Sequence, residues 1–410
     1  MMSLTAASTP LPLQRLHALD ALRGFALLLG VALHASMSYL PGSQYFWIVS
    51  EAESSVALGV WFYWIHLFRM TTFFLLAGFF GRLALNRLGL TAFIKDRCKR
   101  IVLPLVLAWP LVMTGIVVVV VWSAWIKFGG VLPAESPPGP AFTADDFPLT
   151  HLWFLYVLSL LYPAMLALRA ALAWLDRGGR VQAALDRVVG GVLGPAAPLL
   201  LALPVGLALF SLPTWHAWFG VPTPDHSLYP NVAATVSFAL AFAVGWALER
   251  QRGLLDRLGQ RWPFHLVLAL LTTLGCLATI GISPGAEPAQ GDAGTLAYAL
   301  AYAAAAWSWT LALIGMSLRF LSAASPLRRY LADASYWVYL IHIPLVMALQ
   351  VVAVQVDWAW WIEYPLALMI GMALMLASYH FCVRHRAIGR LLTGKSRPAA
   401  EAGVNVSPAL

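Results

Sequence analysis

Residues 101–126 read IVLPLVLAWPLVMTGIVVVVVWSAWI and carry no charged side chain. A helix needs about 20 apolar residues to cross the hydrocarbon core of a bilayer, so this stretch predicts a membrane-spanning helix. Similar apolar runs recur along the chain on both sides of it. The spans predicted from them are 20–40, 56–81, 101–126, 151–168, 191–211, 231–248, 263–282, 295–318, 333–354 and 364–383.

The composition excludes an ordinary soluble domain. Of the 410 residues, 60% are hydrophobic and 11% are charged, whereas soluble domains have about 45–50% apolar and about 25% charged residues. The 18 Trp, 20 Phe and 13 Tyr residues also exclude a disordered chain, because such chains lack the apolar side chains that form a core. The predicted fold class is an all-α integral membrane protein, a bundle of about ten transmembrane helices. Cys98, Cys276 and Cys382 have neither a metal-ligand spacing nor a disulfide pattern, so no metal site is expected.

The charged residues separate by side of the membrane. Of the 26 Lys and Arg residues, 24 lie at the N-terminus, in even-numbered connections between predicted helices, or in the C-terminal tail; the other connections hold Lys127 and ten acidic residues. Because Lys and Arg accumulate on the cytoplasmic side, we predict a cytoplasmic N-terminal segment over 1–19, a transmembrane domain over 20–383 and a basic cytoplasmic tail over 384–410. The net charge of +8 therefore reflects sidedness, and no nucleic-acid partner is expected.

The first predicted helix carries a polar stripe. Residues 19–39 read LDALRGFALLLGVALHASMSY, in which Arg23 and His34 are eleven positions apart. At about 100° per residue they return to within roughly 20° of one face, and Asp20 shares that face. A neutral imidazole at mid-membrane can take a proton from a hydroxyl group. The alternative interpretation of His34 is a hydrogen bond between helices.

The second predicted helix contains WIHLFRMTTFFLLAGFF over 64–80, where His66 and Arg69 are neighbours on one face. Arg69 is the one basic residue in the middle of a predicted span, which is a costly position unless the side chain faces protein or water. Its guanidinium could neutralise a substrate carboxylate or pair with a buried protein carboxylate. The scarcity of acids inside the predicted spans favours the first interpretation.

Two arginines lie at the predicted cytoplasmic edge of the third helix. Arg97 and Arg100 are three residues apart, a spacing that can bind the phosphates of a cytoplasmic donor. The alternative is a purely topological role, as anchors that keep this connection on the cytoplasmic side.

Two further histidines occur at the ends or in the middle of predicted spans. His151 begins the fourth span, in HLWFLYV, and could contact a polar acceptor from the outer side. His342 aligns with Ser335 and Tyr339 on one helical face and precedes a kink expected at Pro344. For both histidines, a structural role is the alternative to a functional one.

Taken together, these stretches resemble the membrane acyltransferase-3 family. The resemblance rests on LDALRG followed by His34, FRMTTFFLLAGFF, the pair Arg97 and Arg100, HLWFLYVL, and SYWVYLIHIPLV, which occur in the family's order and span about 15–385. Within the family, the type that succinylates periplasmic glucans is the most similar. Departures are small: the segment MTTFFLLAGF lacks the Pro before the two Phe and the Ser before the Gly that the family often has.

The resemblance implies a multi-pass enzyme of the bacterial inner membrane. Such an enzyme takes an acyl group from cytoplasmic acyl-CoA, here with succinyl-CoA favoured, and passes it to hydroxyls of a periplasmic glucan or other polysaccharide. Its expected partners are therefore membrane lipid, the acyl-CoA donor and the glycan acceptor, with no permanently bound cofactor. Neither the acceptor hydroxyl nor the oligomeric state can be read from the sequence.

The resemblance also assigns roles to the candidate residues. His34 becomes the catalytic base, with Arg23 as its partner at the entrance and Asp20 on the same stripe. Arg97 and Arg100 become the contacts for the phosphates of acyl-CoA. The remaining candidates, for the acyl carboxylate or another part of the substrate, are His66, Arg69, His151, Tyr339 and His342.

Three other functions fit the same residues. One is O-acetylation of another exported or surface polysaccharide. Another is a proton-coupled transporter, because intramembrane His and Arg also suit a carrier, although no pair of corresponding broken helices is visible in the sequence. A catalytically silent partner of a glucan synthase is the third.

Overall fold

The computed structural model describes residues 13–51, 53–132, 139–285, 287–356 and 358–393. Over these residues the chain forms helices and connecting turns, with no strand. The helices are α1 Leu13–Ser36, α2 Val56–Leu88, α3 Leu90–Arg97, α4 Leu103–Lys127, α5 Trp153–Leu175, α6 Arg180–Val192, α7 Ala197–Phe210, α8 Val232–Arg250, α9 Gly253–Ile280, α10 Ala293–Phe320, α11 Pro326–Ala353, α12 Trp360–Ser378 and α13 Ala387–Thr393.

The predicted fold class is confirmed. Among the described residues, nine helices are long and apolar enough to cross a membrane, and α6 with α7 forms a bent pair that raises the number to ten if it counts as one crossing. The bend between these two helices is 104°. The predicted span 191–211 thus corresponds to α7, whose 14 residues reach only about 21 Å. The ends of the predicted terminal segments, 1–12 and 394–410, lie outside the described residues.

The third predicted span is part of a longer helix. A π-helical turn, Cys98–Val102, joins α3 to α4, so the helical path runs for 38 residues from Leu90 to Lys127. Most of this path faces outward, since only 11% of its most apolar window is buried. The turn is wider than an α-helical one, and such turns recur at functional sites.

The helix α1 lies at the centre of the bundle. It contacts α2, α10, α11 and α12, and α1, α2 and α10 are mostly buried, whereas α4, α5, α9 and α12 are mostly exposed on their apolar surface. The C-terminal end of α1 is therefore surrounded by other helices. His34, near the end of α1, is placed to meet side chains from several helices at once.

The helices α2 and α8 approach each other closely at two glycines. A Cβ atom at Gly78 would collide with the carbonyl oxygen of Phe242, and one at Gly245 would collide with that of Leu75. Small residues permit such close backbone contact between membrane helices. This packing fixes the position of α2, which carries His66 and Arg69.

The predicted inner connections meet at one end of the bundle. Arg82 forms an ion pair with Glu249 at 2.9 Å, and Arg250 forms one with Asp186 at 2.7 Å. The predicted outer connections meet elsewhere, where the amide of Phe147 donates to the carbonyl of His226 and the amide of Leu228 to that of Ala144. This grouping agrees with the alternation of connections on which the predicted sidedness rests.

Candidate active site

Three histidines from distant parts of the chain form a row inside the bundle. His34 on α1 lies beside His342 on α11, with ring centroids 5.2 Å apart. His342 in turn lies 4.7 Å from the ring of His151, in the turn before α5. The Tyr339 ring is 5.4 Å from that of His151. The structure thus brings together four candidates that the sequence offered one by one.

Hydrogen bonds define the protonation of two of these rings. His342 Nδ1 lies 2.7 Å from the carbonyl oxygen of Tyr339, and His151 Nε2 lies 3.3 Å from that of Leu340. A carbonyl oxygen only accepts, so each of these nitrogens carries a hydrogen and the other nitrogen of each neutral ring is an acceptor. Those acceptors, His342 Nε2 and His151 Nδ1, are buried and have no hydrogen-bond partner among the described residues. Two free lone pairs are therefore available in the site.

Arg69 brings a positive charge into the same place. Its Nε is buried and has no hydrogen-bond partner within the described part of the chain. The missing side chain of Gly30, one turn before His34, leaves room for the guanidinium, because a Cβ at Gly30 would collide with Arg69 Nη1. In the described ranges no carboxylate interacts with Arg69, and the Tyr339 hydroxyl lies within electrostatic range of its guanidinium. The alternative of a pairing with a buried protein carboxylate therefore finds no support in these residues.

His66 completes what we call the central cluster. Its ring stacks on Phe62 with centroids 5.4 Å apart, and its Nδ1 is buried without a partner among the described residues. His66, Arg69, His151 and His342 all lie close enough to His34 to interact with it electrostatically. The central cluster consists of His34, His66, Arg69, His151, Tyr339 and His342.

Two residues that the sequence did not single out hold His34 in place. The Gln350 amide donates to the carbonyls of His34 at 3.0 Å and Ala35 at 3.2 Å and accepts from Trp47 Nε1 at 2.9 Å. Trp47 stacks on the His34 ring, with centroids 5.9 Å apart. The last carbonyls of a helix lack hydrogen-bond donors within the helix. At the end of α1, the Gln350 side-chain amide is the donor to two of these carbonyls. The available signal was a single glutamine inside the apolar span predicted for 333–354.

A second group lies near the start of α1 and is called the basic-end cluster: Asp20, Arg23, Asp96, Arg97 and Arg100. Arg23 pairs with Asp20 at 3.2 Å. Asp96 binds both arginines of the predicted phosphate site, through Arg97 Nε at 3.1 Å and Arg100 Nε at 2.9 Å. Arg23 lies within electrostatic range of Arg100. The structure thus brings the three arginines together, and the Asp96 carboxylate lies between two of them.

The two clusters are separated along α1. Arg23 and His34 are eleven positions apart, which corresponds to about 16 Å at 1.5 Å per residue. Side chains in the basic-end cluster are partly exposed, with 39% for Arg23, 19% for Arg97 and 32% for Arg100. A ligand that contacts both clusters must therefore extend along α1 from an accessible charged end to a buried one.

Acidic residues lie just beyond the central cluster, at the end of α1. Tyr39, in the turn that follows α1, donates to Glu363 at 3.3 Å, and the Glu51 amide donates to the carbonyl of Ser38 at 3.0 Å. Burial and, after it, the charge of Glu363 raise the pKa of Glu51 from 4.5 to about 7. The Glu51 carboxyl therefore takes up a proton near neutral pH.

Glu51→Gln is expected to flatten the dependence of stability on pH. The folded protein holds the Glu51 proton more tightly than the unfolded chain, so its contribution is complete below about pH 4.5 and lost as the pH rises through about 7. The unfolding temperature of the wild type should therefore fall between pH 5 and pH 8 by more than that of the variant. The control is Glu53→Gln at the exposed neighbour, which should change with pH as the wild type does. If the unfolding temperature fell equally with pH in Glu51→Gln and in the wild type, the raised pKa of Glu51 would be contradicted.

The described residues contain no group of three or more His, Cys, Asp or Glu side chains arranged to hold a metal ion. The central cluster places neutral imidazoles beside a guanidinium. Imidazoles accept and return protons, and a buried guanidinium stabilises negative charge. The site therefore suits a reaction in which a proton leaves a nucleophile and negative charge develops nearby.

Comparisons with known proteins point to an acyltransferase. A sequence model described as the acyltransferase domain matches residues 16–380. Curated relatives include the glucans biosynthesis protein C of Escherichia coli strain K12, of strain SMS-3-5 and of O1:K1, each 34% identical over 154 residues. That match covers 36% of this chain and 37% of each relative, so it spans about a third of their length. No solved structure matches the chain.

The domain match extends from the start of α1 to the end of α12 and so includes both clusters. It covers well over half of the chain, and the bundle of membrane-spanning helices is the architecture that the sequence resemblance implied. The chain therefore belongs to the acyltransferase-3 family and is a multi-pass membrane acyltransferase.

Proposed function

We propose that the protein is an O-acyltransferase of the bacterial inner membrane that moves an acyl group from cytoplasmic acyl-CoA to hydroxyls of a periplasmic glucan. The observation that carries this proposal is the central cluster, in which His34 lies beside two unprotonated imidazole nitrogens and an arginine with no carboxylate among the described residues. The names of the relatives, which refer to glucan biosynthesis, support the choice of acceptor. The excess of Lys and Arg at the end that carries the basic-end cluster supports the cytoplasmic position of the donor.

In the proposed reaction His34 is the general base. Its ring nitrogen takes the proton of a glucan hydroxyl, and the oxygen then attacks the thioester carbonyl carbon. The carbon–sulfur bond breaks, the sulfur leaves as the thiolate of coenzyme A, and the imidazolium returns the proton to it. Proton transfer of this kind contributes about 10²–10⁴ to the rate of enzymatic reactions.

The donor would be held at the basic end. Arg23, Arg97 and Arg100 lie together and remain partly exposed, and guanidinium groups bind phosphates through paired hydrogen bonds. The phosphates of acyl-CoA would occupy this end while the acyl arm extends along α1 to His34. Asp20 and Asp96 would set how much positive charge the phosphates meet.

We propose succinyl as the acyl group. A succinyl group carries a free carboxylate, which needs a positive partner inside the bundle. Arg69 supplies the charge and His66 lies one turn away on the same helix, while the acyl carbonyl remains near His34. Acetyl has no carboxylate and would leave Arg69 without a partner.

Purified protein in lipid nanodiscs tests the function directly. Succinyl-CoA or acetyl-CoA is added with a periplasmic glucan, coenzyme A release is measured, and the glucan is analysed by mass spectrometry. We expect coenzyme A release that depends on the glucan and a mass gain of one succinyl group per transfer. Acetylation of a different polysaccharide would favour the alternative acceptor, and solute flux in liposomes without thioester cleavage would favour a transporter. Absence of acyl-CoA binding would point to a silent partner of a glucan synthase.

A further inference from the structure

A proline interrupts the hydrogen bonding of α11 next to the central cluster. Pro344 has no amide hydrogen, so the carbonyl of Leu340, four residues earlier, loses the donor that a regular helix provides. His151 Nε2 lies 3.3 Å from this carbonyl oxygen and donates to it in place of the missing amide. The gap that the proline makes in one helix is therefore filled by a side chain from another segment.

This hydrogen bond determines which nitrogen of His151 is free. A neutral imidazole carries one hydrogen, and the Leu340 carbonyl retains it on Nε2. The lone pair is then on Nδ1, which is buried and has no partner among the described residues. The Tyr339 hydroxyl donates to the His151 carbonyl at 2.9 Å, so the same turn of α11 holds both the backbone and the ring of His151.

A glycine on a neighbouring helix makes room for the ring of Pro344. On α4, Gly115 faces the proline ring, and a Cβ added there would lie 3.0 Å from Pro344 Cβ. Proline is the least favourable residue in the interior of a helix. If Pro344 served packing alone, alanine at this position would improve the helix and leave His151 unaffected.

We propose that Pro344 is a positioning residue of the active site. By leaving the Leu340 carbonyl without a backbone donor, it holds His151 in the tautomer that presents an unprotonated Nδ1 to the central cluster. The effect on turnover rests on the proposed function, whereas the hydrogen bond and the tautomer do not.

Pro344→Ala is the first test. The alanine amide can donate to the Leu340 carbonyl and compete with His151 for it. We expect kcat to fall about tenfold, since one net hydrogen bond changes a rate by up to that factor, with KM for acyl-CoA little changed. The unfolding temperature should stay the same or rise. The matched control is Pro263→Ala, in a helix of the same length whose proline lies on an exposed face, and its kcat should equal that of the wild type.

A double-mutant cycle separates positioning from general disturbance. If Pro344 acts through His151, the effect of Pro344→Ala on kcat should largely disappear in a His151→Ala background. Fully additive effects of the two substitutions would overturn the proposal. So would a Pro344→Ala protein that retains wild-type kcat.

A spectroscopic readout does not depend on turnover. In protein labelled with ¹⁵N-histidine, the His151 resonances, assigned with the His151→Gln variant, should show the hydrogen on Nε2 in the wild type. Pro344→Ala should shift the population toward the other tautomer. An unchanged His151 spectrum would overturn the proposal. If no acyl-CoA is turned over, the proposed function fails while this measurement still decides the role of Pro344.

Discussion

Replacing His34 by glutamine is expected to slow acyl transfer by about 10²–10⁴-fold, the range that a general base contributes. Glutamine is polar and of similar size, so contacts with Met37 and Trp47 can partly remain, but its amide takes up no proton. The measurement is glucan-dependent release of coenzyme A by the purified variant in nanodiscs. Unfolding should change little, because Gln350 contacts the backbone of His34 and not its ring.

The matched control is His265→Gln. His265 is a buried histidine of a membrane-spanning helix, and neither ring nitrogen has a hydrogen-bond partner within the described part of the chain. It lies on α9, whose main contacts are with α10. This variant should retain wild-type turnover, and a His34→Gln protein that does the same would remove His34 from the mechanism.

Arg69→Met is expected to lower the preference for succinyl-CoA over acetyl-CoA by about 10²-fold or more. Removing one partner of a buried ion pair costs about 3–5 kcal/mol, and each 1.36 kcal/mol changes a ratio tenfold. The measurement is the ratio of kcat/KM for the two donors. Turnover of acetyl-CoA should change far less, since it offers no carboxylate to Arg69.

Two controls accompany this variant. Arg69→Lys keeps the charge and should keep a preference for succinyl-CoA, though a weaker one, because an ammonium lacks the planar pair of donors. Thermal unfolding of ligand-free Arg69→Met should occur at the same or a higher temperature, because the substitution removes a buried charge that has no carboxylate partner among the described residues. An unchanged ratio of donors in a folded Arg69→Met protein would show that the carboxylate is recognised elsewhere.

Hydropathy predicted most of the membrane-spanning helices. It failed where turn-forming residues lie inside an apolar run and where charged residues lie inside a helix. The bend in the predicted span 191–211 falls at Gly194 and Pro195, which are turn signals inside an apolar run. Hydropathy leaves residues 82–100 as a connection between two predicted spans, because Lys95, Arg97 and Lys99 interrupt the apolar run, yet these three residues are helical. Charged residues indicate where a helix leaves the bilayer, but the helix itself can begin several residues earlier, as it does at Leu90.

The candidate residues were predictable one at a time, whereas their grouping was not. His34 and His342 are neighbours because α1 packs on α11, and nothing in the periodicity of either helix specifies that partner. The hydrogen bonds of Gln350 reach across more than 300 positions and were invisible for the same reason. The pairing of Asp96 with Arg100 is different, since the two are four residues apart on one helical path and the spacing alone could have predicted it.

The Asp96 carboxylate pairs with the guanidinium groups of both Arg97 and Arg100, so each arginine has a counter-ion when no ligand is bound. An anion that binds Arg97 through Nε and Nη2 therefore competes with the Asp96 carboxylate. Anion binding there exchanges one counter-ion for another, so an anion with a single charge gains little binding free energy over the Asp96 carboxylate that it replaces. The competing Asp96 carboxylate therefore favours ligands with several negative charges and promotes the release of the anionic product.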